Sequence, residues 1–150
     1  MVDFTNPDAK KYWQDGLANF LKLGVAGFKL DRAEEEIPES GPYKVFDGRS
    51  IPNPGREERF KALTGKDEPV IEYLNRQESA RQFLASVTSL VDASVSAYQR
   101  RGFKNLMVSF GCTGGQHRSV YFAERLAAHL RARDGVEVVL RHRELEKLAP

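Results

Sequence analysis

The sequence has little of what marks secreted and membrane proteins. It contains one cysteine in 150 residues, so no disulfide can form within the chain, which fits a reducing compartment. No apolar run approaches the roughly 18 residues of a membrane-spanning helix. The N-terminal residues MVDFTNPDAKKYW contain no signal-peptide core. We therefore expect a cytoplasmic protein without a membrane partner.

A Walker-type GxxxxGK[ST] motif is also missing. The single Gly-Lys pair, Gly65 and Lys66, is followed by Asp67 instead of Ser or Thr, so the residues that hold nucleotide phosphates and magnesium are not in place. The sequence predicts no nucleotide hydrolysis. Nothing in it indicates a cofactor or a metal site.

Positive charge is concentrated in the last third of the chain. The net charge is only +2, but residues 100–150 carry ten Lys or Arg against five Asp or Glu. An anionic partner would prefer this part of the protein.

Apolar spacing and turn residues predict alternating helices and strands. Helices are predicted over residues 5–24, 78–101 and 117–133, with a short helix after Asp67, and strands over 25–31, 43–47, 105–111 and 136–142. Residues 143–150 are predicted to be a polar tail. Strands separated by helices imply an α/β fold with a three-layer, mostly parallel sheet and helices on both faces.

The stretch GCTGGQHRS, residues 111–119, passes from a strand through a glycine-rich turn into a helix. Backbone N–H groups of such a turn point into one cavity, where the helix dipole also favours negative charge. The pattern predicts an anion site; a solvent-exposed turn without a ligand is the alternative. The site would use the backbone of Gly111, Gly114 and Gly115 and the side chains of Thr113, Arg118 and Ser119.

One interpretation of this loop is enzymatic. Cys112, five intervening residues and Arg118 resemble the loop of cysteine-dependent phosphatases, in which a thiolate attacks phosphorus. Asp47, at the end of a predicted strand, is the candidate general acid. Gly111 stands where that family usually has His.

A second interpretation rests on a longer resemblance. The blocks FDGRSIPNPGREERFKALTGKDEPVIEYL, GCTGGQHRSVYFAERLAAHL and RHRELEK together resemble the C-terminal domain of the RNase adapter protein family RapZ, over residues of about 43–150. The resemblance implies a fold like part of phosphofructokinase and binding of glucosamine-6-phosphate. It also implies binding of a small regulatory RNA, presentation of that RNA to a ribonuclease, and assembly as a homo-oligomer.

The resemblance also implies which residues form the ligand pocket. The phosphosugar pocket would consist of Lys29, Asp47, Cys112, Thr113, Gly114, Gly115, His117, Arg118 and Ser119. For Asp47 the alternative is a turn cap, for His117 a helix cap, and for Cys112 a small packed residue. A basic group would bind RNA phosphates, or else form an ordinary solvated surface: Arg131, Arg133, Arg141, His142, Arg143 and Lys147.

The first 40 residues raise a separate question. DFTNPDAKKYWQDGLANFLKLGVAGFKLDRAEE resembles the catalytic-aspartate segment of family-31 glycoside hydrolases, with Asp31 at the nucleophile position. A retaining glycosidase needs a second carboxylic acid and a whole barrel, so we expect no glycosidase activity. We predict a helical segment of separate origin over residues 1–24 and a RapZ-like domain over 25–150. A phosphosugar-binding adapter is the first hypothesis, a cysteine phosphatase the second, and an inert scaffold that keeps the loop the third.

Overall fold

The computed structural model of the chain describes residues 42–148. The predictions that fall on earlier residues lie outside this range. These are the helix over 5–24, the strand over 25–31, the ligand Lys29 and the likeness to glycoside hydrolases.

A parallel pair of strands forms the sheet of the described part. Strand β1 spans Tyr43–Asp47 and strand β2 spans Met107–Gly111. The register pairs Tyr43 with Met107 and Asp47 with Gly111, so both strands end at the same level. The parallel pair and its helices confirm the α/β class. The three-layer arrangement and the likeness to phosphofructokinase stay predictions.

Four helices accompany the sheet within residues 42–148. They are α1 (Glu68–Arg76), α2 (Glu78–Arg101), α3 (Arg118–Arg131) and α4 (Arg143–Leu148), with short 3-10 turns at Pro54–Arg56 and Glu58–Phe60. The predicted stop of α2 is confirmed, because Gly102 adopts a left-handed conformation with φ of 73°. None of the helices in this part of the chain is long and apolar enough to cross a membrane.

Asp67 lies at the N-cap position of α1, as predicted, but its side chain does not cap the helix. The carboxylate instead accepts hydrogen bonds from the backbone N–H and the hydroxyl of Thr64, at 2.7 and 2.8 Å. These two bonds lower the pKa of Asp67. Asp67 therefore stabilises the turn that leads into α1, while Pro69 occupies its first turn.

Helix α3 contributes to both apolar clusters of the core. Tyr121 and Phe122 belong to the first cluster, and Leu126 and Leu130 to the second. Phe122 is 1% exposed, and its ring centroid lies 6.0 Å from that of Phe110 in β2. This packing holds the first turns of α3 against the sheet and so fixes where the loop between β2 and α3 ends.

The prediction of a strand over residues 136–142 is wrong for the described part of the chain. The segment is extended and its burial alternates, with Val136 and Val138 facing the core and Val139 83% exposed. It pairs with neither β1 nor β2, however. Alternating buried and exposed side chains show that one face of an extended segment is covered, but they do not require a hydrogen-bonded neighbouring strand. A cavity of about 230 Å³ lies between this segment, β2 and helices α2 and α3. The predicted polar tail is partly helical, since α4 begins at Arg143.

The close contact at Gly65 gives a first prediction. The Gly65 N–H donates to the carbonyl of Gln116 at 2.9 Å, and a Cβ at residue 65 would overlap the carbonyl oxygen of His117 and the amide nitrogen of Tyr121. Because these backbone atoms belong to the start of α3, we expect Gly65→Ala to lower the free energy of unfolding by about 2–3 kcal/mol in urea denaturation.

Gly114→Ala is the matched control for this measurement. No atom of the described residues lies within 4 Å of a Cβ built at Gly114, so we expect a change below about 1 kcal/mol. Equal losses in the two variants would contradict the assignment of Gly65 as a close-packing position.

Candidate anion-binding site

The loop between β2 and α3 has the geometry of an anion site. β2 ends at Gly111, and α3 begins at Arg118 and continues for 14 residues, so the loop lies at the positive end of the helix dipole. Gly115 has a φ of 64°, which a residue with a side chain adopts only at a cost. The loop of residues 111–119 thus leads from the end of β2 to the start of α3, and its binding of an anion stays a prediction.

The sulfur of Cys112 lies among donors of this loop. It is 3.2 Å from the hydroxyl oxygen of Ser119, and the nearby backbone N–H groups of Gly114, Gly115 and Ser119 lower its pKa. Burial raises the pKa of the Cys112 thiol, but the Ser119 hydroxyl and the three amides outweigh this effect, so the pKa lies below its ordinary value. The loop therefore stabilises negative charge at this point.

Arg118 is buried beneath the loop and binds backbone. Its side chain is 3% exposed, and its Nη1 donates to the carbonyls of Arg49 and Ile51 at 3.1 and 2.6 Å. Its Nη2 donates to the Thr113 hydroxyl at 3.2 Å. Within residues 42–148 its buried Nε–H has no partner. Arg118 thus joins the loop to the turn after β1 and retains one unpaired donor.

The two residues before Arg118 also bind backbone carbonyls. His117 is 9% exposed, and its Nε2 donates to the carbonyl of Phe60 at 2.8 Å. The Gln116 amide donates to the carbonyls of Lys61 and Leu63 at 3.0 and 2.6 Å. His117 occupies the N-cap position of α3 without a side-chain capping bond. Its side chain therefore fixes the segment 49–65 in place and does not cap the helix.

Asp47 lies beside the entrance of the loop. It is level with Gly111 in the sheet, and the Gly48 N–H donates to the Gly111 carbonyl at 2.8 Å. Its carboxylate accepts from the backbone N–H of Arg49 at 2.9 Å and pairs with the guanidinium of that residue at 2.5 Å. Asp47 thus stabilises the turn after β1, as the capping alternative predicts, and it remains half-exposed next to the loop.

Helix α4 packs on the loop at Gly115. A Cβ at this position would overlap the side chain of Glu144, so glycine is required both by the backbone angle and by the packing. The Glu144 carboxylate pairs with Lys147 at 2.8 Å. The carboxylate next to the loop is therefore offset by a cation on the same helix.

The residues predicted to bind RNA lie in two places. Arg131 and Arg133 are at the end of α3, and the other four lie on α4 or just before it. Most are paired with carboxylates: Arg133 with Asp92 (2.6 Å), Arg141 with Glu146 (2.6 Å), His142 with Glu124 (2.8 Å) and Lys147 with Glu144 (2.8 Å). This part of the surface therefore carries mixed charge.

Sequence reasoning missed the contacts between the loop and the segment 49–65. The sequence does not single out Gln116, because its side chain donates to backbone carbonyls, which every residue type possesses. It also does not single out Arg49 as the ion-pair partner of Asp47. Gly65 carries no clear signal either, because it lies in the turn of residues 64–67, where glycine is common without any close approach of two backbones.

Comparisons with known proteins agree with the longer resemblance. A family model described as the RapZ C-terminal domain matches residues 26–146. A nucleotide-binding protein from Janthinobacterium sp. (strain Marseille) is 46% identical over 102 residues, covering 68% of this chain and 35% of that protein. A nucleotide-binding protein from Aeromonas hydrophila is 42% identical over 114 residues, covering 76% of this chain and 39% of that protein. The chain thus spans little more than a third of the curated relatives it matches.

The buried guanidinium gives a second prediction. Arg118→Met leaves the carbonyls of Arg49 and Ile51 without their donor, so we expect the free energy of unfolding to fall by about 2–4 kcal/mol, measured by urea denaturation. The matched control is Arg131→Met, at an exposed position of the same helix, for which we expect a change within about 0.5 kcal/mol. A loss at Arg118 no larger than that at Arg131 would show that the two carbonyl bonds contribute nothing to stability.

Proposed function

The chain belongs to the RapZ C-terminal domain family, and from this membership we propose that it binds a phosphorylated amino sugar, glucosamine-6-phosphate, in the loop of residues 111–119. The observation that carries the proposal is the position of the glycine-rich loop directly before the first turn of α3, with Gly115 in the left-handed region and the Cys112 sulfur 3.2 Å from the Ser119 hydroxyl. Amides at a helix N-terminus are suited to phosphate oxygens.

The site also offers hydrogen-bond donors for the phosphate of this ligand and an acceptor for its sugar. The buried guanidinium of Arg118 retains an unpaired Nε–H, and the Thr113 hydroxyl stands at an exposed position of the loop. Both are donors of the kind that phosphate oxygens accept. The half-exposed Asp47 carboxylate at the entrance can accept hydrogen bonds from sugar hydroxyls and from the ammonium group. Phosphate would therefore enter the loop, and the sugar would lie toward the end of β1.

The names of the relatives suggest a nucleotide as another ligand. This chain matches little more than a third of those proteins, and it lacks the GxxxxGK[ST] motif. We propose that the loop takes a sugar phosphate and that the chain does not hydrolyse nucleotides. ATP is accordingly one of the comparison ligands below.

Calorimetric titration tests the proposal. We expect glucosamine-6-phosphate to bind more tightly than glucose-6-phosphate, and expect glucosamine, inorganic phosphate and ATP to bind weakly. Thr113→Val removes a hydroxyl donor from the loop, and we expect a loss of affinity of about tenfold for both sugar phosphates. Asp47→Asn should weaken glucosamine-6-phosphate more than glucose-6-phosphate, because only the former carries an ammonium group.

Thr88→Val, on helix α2, is the control for the threonine substitution, and it should leave both affinities unchanged. Equal affinity for every phosphate would contradict the assignment of Asp47 to the amino sugar. Absence of binding by any phosphate compound would overturn the proposal of phosphosugar binding and favour an inert scaffold.

A cysteine-dependent phosphatase is the second candidate, favoured by the stabilised sulfur of Cys112. Such an enzyme needs a protonated general acid near the leaving group, whereas the Asp47 carboxylate is engaged in an ion pair with Arg49. The two functions separate cleanly in a p-nitrophenyl phosphate assay. A phosphatase would show turnover that Cys112→Ser abolishes, whereas a binding domain would show no turnover in either form.

We extend the proposal to a small regulatory RNA, a ribonuclease partner and self-association, as the family resemblance implies. RNA phosphates would have to replace the carboxylate partners of Arg133, Arg141, His142 and Lys147. We therefore expect weak binding of a hairpin RNA. Each phosphate contact that is lost should reduce the slope of log affinity against log salt by about 0.7–0.9.

Arg131→Gln tests the RNA proposal in a fluorescence titration between low and moderate salt. This exposed residue contributes no described ion pair to the fold, so the variant should lose slope without losing stability. An unchanged slope for this variant, or no RNA binding by the parent protein, would contradict the assignment of the basic group.

A further inference from the structure

The Cys112 sulfur lies among the donors that would hold a phosphate. It is 3.2 Å from the Ser119 hydroxyl, directly before the first turn of α3, and the nearby N–H groups of Gly114, Gly115 and Ser119 lower its pKa. A ligand phosphate in the loop would need the same N–H groups. The chemical state of this sulfur therefore decides whether those donors are available to a ligand.

An independent observation shows that the loop is built for negative charge. Arg118 is 3% exposed, yet each described partner of its guanidinium is a neutral oxygen: two backbone carbonyls and the Thr113 hydroxyl. No carboxylate within residues 42–148 pairs with it, and its Nε–H is unpartnered. A buried arginine without an anionic partner is costly. Because Nη2 of Arg118 contacts Thr113, an anionic group next to residues 112–113 would supply the missing negative charge.

We propose that Cys112 is a site of oxidation by hydroperoxides, and that its oxidation closes the loop to the anionic ligand. The inference rests on the proposed function, because it concerns access to the same donors. Hydrogen peroxide is the co-reactant. The Cys112 thiolate attacks one peroxide oxygen, an S–O bond forms and the O–O bond breaks. Sulfur is oxidised by two electrons to sulfenic acid, and the second oxygen leaves as hydroxide and takes up a proton to become water.

The surroundings of Cys112 allow this reaction. The residue is half-buried and its neighbours Thr113 and Gly114 are exposed, so a molecule as small as hydrogen peroxide reaches the sulfur. The chain contains one cysteine, so the sulfenic acid cannot form an internal disulfide and is returned to the thiol by an external thiol. The added oxygen would occupy the space next to the loop amides that the phosphate requires.

The first experiment measures the reaction itself. The full chain is treated with hydrogen peroxide at neutral pH, and sulfenic acid is trapped with dimedone and quantified by intact mass. The reference is a variant that combines Cys112→Ser with Ser89→Cys, which moves the thiol to an exposed position of α2. We expect Cys112 to react roughly tenfold faster than this reference thiol. Ser119→Ala should reduce that advantage, and saturating glucosamine-6-phosphate should protect Cys112.

The second experiment measures ligand binding before and after oxidation. We expect the affinity for glucosamine-6-phosphate, measured by calorimetry, to fall at least about tenfold in the oxidised protein and to return after dithiothreitol. The oxygen on Cys112 and the ligand phosphate need the same space, so each disfavours the other. If the reduced protein binds no sugar phosphate, the proposed function fails. If the reduced protein binds but Cys112 reacts no faster than the reference thiol, or the oxidised protein binds equally well, this inference alone fails.

Discussion

The hydrogen bonds from the buried Arg118 side chain to the turn after β1 are the contact on which the site depends. Arg118 starts helix α3, yet its guanidinium lies against the carbonyls of Arg49 and Ile51. One side chain thereby joins the end of the first strand to the loop that follows the second. Because the residue is almost wholly buried, these bonds are shielded from water and bear directly on stability.

The neighbours of Arg118 extend this arrangement. His117 and Gln116 donate to carbonyls of residues 60, 61 and 63, so three successive side chains bind one irregular segment. That segment would otherwise have to satisfy its backbone through water or internal turns. The loop conformation is consequently set from two sides, by the packing of α3 on the sheet and by the segment 49–65. Such support holds the amides at residues 114, 115 and 119 in place before any ligand arrives.

Elements defined by local rules could be predicted from the sequence. Gly102 ends α2 because only the left-handed region allows that turn, and β1 and β2 follow from their apolar runs between turn residues. The apolar residues of VEVVLRH predict a strand over 136–142, but an apolar segment does not by itself supply a hydrogen-bonded neighbour. Asp67 was placed correctly, yet its carboxylate is bound by Thr64, an alternative that a capping rule does not weigh.

The candidate site, too, could be predicted only in part from the sequence. The residue types of GCTGGQHRS indicate an anion loop, and the described geometry brings the Cys112 sulfur and the Ser119 hydroxyl together. Spacing alone cannot say that the arginine in this motif binds backbone as well, since its partners lie about 70 residues earlier in the chain and their side chains play no part.

The hydrogen bonds from Gln116, His117 and Arg118 to five carbonyls of residues 49–63 restrict the length of this part of the chain. Irregular surface segments usually accept insertions and deletions. Here the carbonyl acceptors must keep their positions opposite three consecutive side chains. Gly65 must also lie where its backbone contacts the backbone at the start of α3. The geometry therefore restricts the length of this stretch more strictly than the identity of its residues.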